Sequence, residues 1–128
     1  MNILWFKDIS KKDIAEVGGK GANLGELVKA GIPVPNGFVV TSSAYRQFLK
    51  ENSLVPKIQK ILSGLNVEDS SLLNQKALEI QKLILAGNFS ELLATDIKQA
   101  YHTLVGKSTD NLVAIRSSAT AEDLPTAS

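Results

Sequence analysis

The sequence predicts an α+β fold that is rich in helix and carries a small β-sheet. Runs of β-favouring residues predict a first strand at Ile3–Phe6 and a compact, buried strand at Phe38–Val40. Apolar residues at helical spacing predict several helices through the long middle of the chain. A continuous apolar run, Leu112–Ile115, predicts a further strand that leads into a polar loop. The 128 residues are expected to belong to one domain.

Turn signals divide the first part of the chain. The adjacent glycines Gly18 and Gly19 indicate a turn or a close approach of another backbone. A short amphipathic helix is expected from Lys20 onward, and Gly31 is expected to end it because glycine adopts the left-handed conformation easily. The prolines within Ile32–Pro35 keep the next residues extended. The turn signal Asn36-Gly37 should then lead into the second strand.

The later helices are predicted from apolar stripes at three- and four-residue spacing. Hydroxyl residues suited to helix N-caps precede two of them, at Thr41–Ser43 and at Ser90. The apolar positions are Tyr45, Phe48 and Leu49; Ile58, Ile61, Leu62 and Leu65; Leu73, Ala77, Ile80 and Ile84; and Leu93, Ile97, Ala100, Tyr101 and Leu104.

Composition excludes several classes of function. Lysine and arginine number 14 against 13 acidic residues, so there is no basic excess and nucleic acid is not the expected partner. The absence of cysteine excludes disulfides, thiolate catalysis and zinc–thiolate sites. No apolar run approaches the roughly 20 residues that span a bilayer, and the N-terminus lacks a signal-peptide pattern. We expect a cytoplasmic protein without a membrane partner.

The first segment whose residues could bind a ligand is Val17–Leu24, which reads VGGKGANL. Glycines before a helix expose backbone N–H groups at its positive end, and Lys20 adds a cation suited to phosphate. The segment is not a Walker A loop, because Gly21 stands where Ser or Thr would bind magnesium. A plain glycine turn with a solvated lysine explains the same residues, and both interpretations stay open.

The second segment is Val113–Ser118, in which Arg116 follows an apolar strand. Arginine at the end of a buried strand needs an anionic partner, and its planar guanidinium can bind two phosphate oxygens. The hydroxyls of Ser117 and Ser118 are additional neutral donors. A structural alternative is that Arg116 pairs with the acidic residues Glu122–Asp123 and holds the loop. From the residues alone, the two interpretations are equally supported.

Three strings in the same order carry a resemblance to a known family. They are VGGKGANLGEL (Val17–Leu27), GIPVPNGFVVTSSAYRQFL (Gly31–Leu49) and VAIRSSATAEDLPTAS (Val113–Ser128). Together with LWF near the start, they resemble the N-terminal domain of the phosphoenolpyruvate synthase and pyruvate phosphate dikinase family. Rifampicin phosphotransferase is similar through the same strings. The strings cover about forty-five residues, whereas residues 50–111 match in helical character only.

The resemblance implies the N-terminal portion of an ATP-grasp nucleotide-binding domain, with residues 1–128 as a single but incomplete first subdomain. Lys20 and Arg116 correspond to the phosphate-contacting residues of the family. The Gly18-Gly19 amides and the Ser117-Ser118 hydroxyls are lesser ATP-binding candidates, and no catalytic or metal-binding residue is assigned.

In the complete parent enzyme, the resemblance implies that ATP and Mg²⁺ act together with a phosphohistidine on another domain. Pyruvate, ATP and water then give phosphoenolpyruvate, AMP and phosphate. His102 matches no family motif and does not inherit the histidine's role. The expected partners are ATP and the remainder of the parent enzyme, and exposed apolar surface is expected to allow self-association. The alternatives are a portion of a pyruvate phosphate dikinase, of a rifampicin phosphotransferase, or a non-catalytic truncated module.

Overall fold

The computed structural model describes residues 1–106 and 111–120 of the chain. These residues fall into two compact units. The first contains residues 1–45 and the described residues from 91 onward, and the second contains residues 46–90. Helices predominate, and the first unit holds a two-stranded sheet, so the predicted helix-rich α+β class is confirmed. No helix in the described residues is both long and apolar enough to cross a membrane.

Two antiparallel strands form the small sheet of the first unit. Strand β1 (Ile3–Trp5) pairs with β2 (Phe38–Val40), and Leu4 lies opposite Val39. Both strands were predicted from their β-favouring residues, and both are confirmed. The expectation that β2 is buried is wrong, because its burial is only partial and Val40 is 43% exposed. A sheet with one covered face leaves alternate side chains towards solvent.

Two 3-10 turns, Phe6–Asp8 and Lys11–Asp13, lead from β1 into the first helix. Ser10 begins the second turn with a capping box. The Asp13 carboxylate accepts a hydrogen bond from the Ser10 amide at 2.8 Å, and the Ser10 hydroxyl accepts one from Lys12 N at 3.3 Å. Reciprocal capping satisfies backbone donors that have no partner at the start of a helix. The capping box thus favours a helix that begins directly after Asp13.

The first helix, α1, spans Ile14–Lys29 and contains a kink. Gly18 interrupts the helical geometry with a φ of 74° and a ψ of 175°. The break predicted at the adjacent glycines is therefore present, and the helical segment predicted from Lys20 onward follows it. The helical residues between Ile14 and the kink, which follow the capping box, were not predicted.

The C-terminal end of α1 has the geometry of a Schellman motif. Gly31 adopts a φ of 79°, and its amide donates to the Val28 carbonyl at 3.1 Å. The Ile32 amide donates to the Leu27 carbonyl at 3.1 Å. These two bonds satisfy carbonyls that a helix end leaves without partners. The prediction that Gly31 ends this helix is confirmed.

A small apolar core joins α1 to the sheet. Its buried members are Ile9, Val17 and Ala22, which are 0%, 1% and 4% exposed. The side chains packed against them are Leu4, Phe6 and Val39. Full burial of an aliphatic side chain such as Ile9 contributes about 1.5–3 kcal/mol. The core therefore fixes the kinked part of α1 against β1 and β2.

Thr41 caps the second helix, α2 (Ser42–Glu51), and is 1% exposed. Its hydroxyl donates to the Met1 carbonyl at 2.7 Å and accepts from the Ala44 amide at 3.2 Å. Of the three hydroxyl residues predicted as caps, Thr41 is thus the one whose hydroxyl receives the Ala44 amide. The same hydroxyl ties the N-terminus of the chain to the start of α2.

We expect Thr41→Val to lower the free energy of unfolding by about 1–2 kcal/mol, because two buried polar groups lose their partner while the shape is kept. Urea unfolding followed by circular dichroism measures the change. Thr41→Ser is the control, since it keeps the hydroxyl. Equal stability of the valine and serine variants would contradict the capping role.

The second unit consists of the end of α2 and two further helices, α3 (Leu54–Leu62) and α4 (Ser70–Leu85). The side chain of Asn52 closes this unit by pairing with the backbone of Asn88. Its amide donates to the Asn88 carbonyl at 3.0 Å, and its oxygen accepts from the Asn88 amide at 2.8 Å. Both helices were predicted from their apolar stripes and are confirmed.

The last helix of the first unit, α5, spans Glu91–Val105. Leu93 and Ala100, both predicted on its inward face, are 6% and 5% exposed. The Tyr101 hydroxyl donates to the Asn111 carbonyl at 2.6 Å and so joins α5 to the residues that precede Arg116. The predicted turn at Asp110 lies outside the described residues.

The strand predicted at Leu112–Ile115 is wrong. These residues have no regular secondary structure, and Leu112 and Ile115 are 87% and 90% exposed. A strand needs a neighbour to receive its backbone hydrogen bonds. Within the described residues, β1 and β2 pair with each other and no third strand adjoins the apolar run.

Candidate functional site

Folding brings together the two segments that the sequence marked for chemistry. Residues 117–119 lie against the kink of α1, where four hydrogen bonds join them to residues 17–21. The Gly19 amide donates to the Ala119 carbonyl at 3.0 Å. The Ser118 hydroxyl accepts from the Gly21 amide at 3.1 Å and donates to the Val17 carbonyl at 2.6 Å. We call residues 17–21 together with 116–119 the kink site.

Gly18 is needed at the kink site for two separate reasons. Its φ of 74° and ψ of 175° lie in a region that is essentially restricted to glycine. A Cβ at this position would also overlap the carbonyl and hydroxyl oxygens of Ser118. The close backbone approach predicted from the adjacent glycines is therefore present, and it is made by the Ser118 segment.

Lys20 is half-buried on the second part of α1, immediately after the kink. Its Nζ donates a hydrogen bond to the Ser117 carbonyl at 3.2 Å. Ser117 directly follows Arg116 in the chain. The ammonium group of Lys20 therefore lies next to the backbone that carries the second predicted cation.

Arg116 is exposed and directly precedes the docked residues. The sequence expectation placed it at the end of a buried strand, but the preceding residue, Ile115, is 90% exposed. Arg116 therefore does not stand at the end of a buried strand. The alternative pairing of Arg116 with Glu122 or Asp123 lies outside the described residues.

The glycine amides take part in the fold of the site. The Gly19 N–H group, a candidate phosphate donor, is directed to the Ala119 carbonyl. The Ser118 hydroxyl, another candidate donor, is likewise engaged with the backbone of α1. The Ser117 side chain is exposed, and no hydrogen bond joins its hydroxyl to another described residue. Phosphate binding by any of these groups stays a prediction.

Sequence reasoning missed three residues whose backbone groups join the two segments. They are Val17 and Gly21 on α1, which supply a carbonyl and an amide, and Ala119 on the second segment, which supplies a carbonyl. The run of small residues around Gly18, Gly19 and Gly21 was the available signal, because such residues permit close approach of a second backbone. The signal did not specify which segment approaches.

A separate groove of about 400 Å³ lies beside β1 and α5. Its lining includes Asn2 and Asp96, whose side chains are hydrogen-bonded at 3.0 Å. None of the predicted site residues lines this groove. In the kink site, Lys20 and Ser118 are half-buried and Arg116 and Ser117 are exposed, whereas Val17 and the glycines beneath them are buried.

Metal-binding side chains do not cluster in the described part of the chain. Residues 1–106 and 111–120 contain no group of three or more His, Cys, Asp or Glu side chains arranged to hold a metal ion. His102 is exposed on α5, and its ring lies 5.7 Å from the ring of Tyr101. The described residues therefore offer no carboxylate cluster that would hold Mg²⁺ by itself.

With this geometry in place, comparison with known proteins identifies the family. Residues 14–128 match the family described as "Pyruvate phosphate dikinase, AMP/ATP-binding domain". The match covers both segments of the kink site and most of the chain. The chain belongs to this family, as the resemblance of its three sequence strings implied.

The chain is also similar to named relatives over nearly its whole length. A "Probable phosphoenolpyruvate synthase" of Methanocaldococcus jannaschii is 49% identical over 98% of the chain and 11% of the relative. Its counterpart in Archaeoglobus fulgidus is 46% identical over 100% of the chain and 17% of the relative. A "Phosphoenolpyruvate synthase" of Aquifex aeolicus is 44% identical over 98% of the chain and 15% of the relative. The chain thus spans less than a fifth of each of these relatives.

Proposed function

We propose that this chain is the ATP-binding N-terminal portion of a phosphoenolpyruvate synthase and that Lys20 and Arg116 contact the ATP phosphates. The observation that carries the proposal is the hydrogen bond from Lys20 Nζ to the carbonyl of Ser117, the residue after Arg116. This bond brings the backbone next to Arg116 up to Lys20, although the two residues are remote in sequence. The family match over residues 14–128 supports an adenine nucleotide as the ligand.

The two cations have different tasks in this proposal. Lys20 is a mobile point charge on α1, suited to one phosphate oxygen, whereas Arg116 can bind two oxygens through its planar guanidinium. Hydrogen bonds to charged groups contribute about 1.5–3 kcal/mol each, and solvent reduces this at exposed positions. The Ser117 hydroxyl adds a neutral donor. Gly18, Gly19 and Ser118 support binding by holding the Arg116 segment on α1.

The names of the relatives support a proposal about the parent reaction. We propose that the whole enzyme converts pyruvate, ATP and water into phosphoenolpyruvate, AMP and phosphate through a phosphohistidine on another domain. Charge neutralisation by Lys20 and Arg116 is the contribution of this chain, and it aids phosphoryl transfer only together with groups elsewhere. The chain alone is therefore expected to bind ATP without turning it over. The three relatives are named as synthases, which favours this reaction over a dikinase or a rifampicin phosphotransferase.

The proposed partners are the remainder of the parent enzyme, including a second ATP-grasp subdomain that supplies the ligands for Mg²⁺. The exposed side chains of Leu112 and Ile115 support such docking, since their burial would remove apolar surface from water. The same surface would allow self-association of the isolated chain. A cytoplasmic location completes the proposal, because nucleotide phosphates and pyruvate are metabolites of that compartment.

We expect ATP binding by the 128-residue chain to be weak, sensitive to salt, and reduced about tenfold by either Lys20→Ala or Arg116→Ala. Each change removes a cation from the phosphates. Titration calorimetry at two salt concentrations measures the affinity, and ligand-observed NMR extends the range to millimolar dissociation constants.

Lys29→Ala is the matched control for this prediction. It removes the same charge from the exposed last turn of α1, far along the helix from the kink, and should leave the affinity unchanged. Binding that is insensitive to salt and unaffected by both site variants would contradict phosphate recognition by the kink site.

A further inference from the structure

We propose that Ser118 is a positioning residue that couples Arg116 to Lys20, so that both cations bind one polyphosphate together. The inference rests on the proposed function, and it assigns to Ser118 a role other than contact with the nucleotide. Its hydroxyl is inserted into the hydrogen-bond ladder of α1 at the kink. This single side chain sets where the Arg116 segment lies on the helix that carries Lys20.

The inserted hydroxyl replaces a helical hydrogen bond. In an unbroken helix, the Gly21 amide would donate directly to the carbonyl four residues earlier, which belongs to Val17. Here the Ser118 oxygen accepts from Gly21 N at 3.1 Å and donates to Val17 O at 2.6 Å. A side chain inserted into the ladder is one of the known causes of a helix kink. Ser118 thereby satisfies both backbone groups that the break at Gly18 separates.

Ser118 is less exposed to solvent than its neighbours in the chain. Ser118 is half-buried, whereas Arg116, Ser117, Ala119 and Thr120 are exposed. Replacement by alanine leaves a carbonyl and an amide on α1 without their partner, which opposes docking of the segment. Serine has one donor and two acceptor lone pairs, so it can bridge an amide and a carbonyl at the same time.

The position of Ser118 links it to both cations. Ser118 accepts a hydrogen bond from the amide of Gly21, which is adjacent to Lys20. Arg116 lies two residues before Ser118 in the chain. Held on one surface, the two cations act as a bivalent binder, in which the second contact forms at high effective concentration. Released from α1, the Arg116 segment would bind phosphate independently of Lys20.

The first test measures the position of the segment without nucleotide. The chain has no cysteine, so Asn23→Cys and Ile115→Cys allow two spin labels on exposed positions that leave both cations intact. Electron paramagnetic resonance then gives the distribution of distances between α1 and the Arg116 segment. We expect a single narrow distribution that broadens with Ser118→Ala. Ser117→Ala, the same chemical change at the neighbouring residue, should leave it narrow.

The second test measures coupling in the ATP affinity. Lys20→Ala, Arg116→Ala and the double variant are compared with and without Ser118→Ala. With Ser118 present, the loss in the double variant should be smaller than the product of the single losses by about threefold or more. With Ser118→Ala, the losses should multiply. A structural role that does not position the cations would leave this coupling unchanged.

The outcomes separate this inference from the proposed function. An unchanged distance distribution in Ser118→Ala overturns the inference whatever the affinity. A broadened distribution with unchanged coupling also overturns it. If the starting chain binds no ATP, the proposed function fails for this chain, and the distance distribution alone decides whether Ser118 positions Arg116 against α1.

Discussion

Gly18→Ala is expected to destabilise the chain by about 1–3 kcal/mol from backbone strain alone, with a further cost from displacement of Ser118. The φ of 74° and ψ of 175° at Gly18 are not available to alanine at low energy. Its methyl group would also overlap the Ser118 carbonyl and hydroxyl oxygens, and the hydroxyl is held on α1 by two hydrogen bonds. The Arg116 segment must then leave the helix. We expect weaker ATP binding together with a lower urea midpoint.

Gly31→Ala provides the matched control for this result. Gly31 has a similar φ of 79°, but no atom lies within 4 Å of the place where its Cβ would be. Backbone strain there should cost about 1–2 kcal/mol without any change in ATP affinity. If Gly18→Ala and Gly31→Ala had the same effects on unfolding and on binding, the steric contact between Gly18 and Ser118 would have no consequence. Comparison of the two variants thus isolates the contact from the conformation.

Gly25→Ala is expected to lower the free energy of unfolding by about 1–3 kcal/mol, although helix propensity alone predicts the opposite sign. At an open helical position, alanine is about 0.8–1 kcal/mol more favourable than glycine. A Cβ at Gly25 would overlap the carbonyl oxygen of Ile9 and lie 2.7 Å from its Cγ2 atom. Ile9 is 0% exposed and belongs to the core, so it has little room to retreat.

The control for Gly25→Ala lies on the same helix. Asn23 is exposed, and Asn23→Ala should change the free energy of unfolding by no more than about 0.5 kcal/mol, in the stabilising direction that helix propensity gives. Urea unfolding of both variants measures the difference. A Gly25→Ala variant that is as stable as the starting chain would show that α1 can move away from Ile9 at no cost.

Several elements were predictable because their signals are local. The amides of Gly31 and Ile32 end α1 by bonding to carbonyls only three and five positions earlier, respectively. Strands β1 and β2 lie where β-favouring residues are bounded by turns, and α5 buries the Leu93 and Ala100 face that its periodicity indicated. In each case, a few neighbouring residues contain the physical cause. The family match over residues 14–128 agrees with the resemblance carried by the same local strings.

One prediction failed and another was incomplete where local preference met the rest of the fold. Residues 112–115 favour a strand, but a strand requires a partner, and β1 and β2 pair with each other in the described residues. The break predicted at the glycines is present at Gly18, and a helical segment follows it as expected. The sequence did not predict the helical residues before the glycines, which begin at Ile14 after the capping box of Ser10 and Asp13. Neither result follows from propensity alone.

The sequence alone predicted the helix-rich α+β class, the family resemblance and the two segments that carry Lys20 and Arg116. The tertiary structure decided that Ser118 takes the place of a helical hydrogen bond at the kink, and that Lys20 contacts the Ser117 carbonyl 97 positions away. The reason is the range of the interactions involved. Turn, cap and helix signals act between close neighbours, whereas contact between segments nearly a hundred residues apart depends on how α1, the sheet and the core pack together.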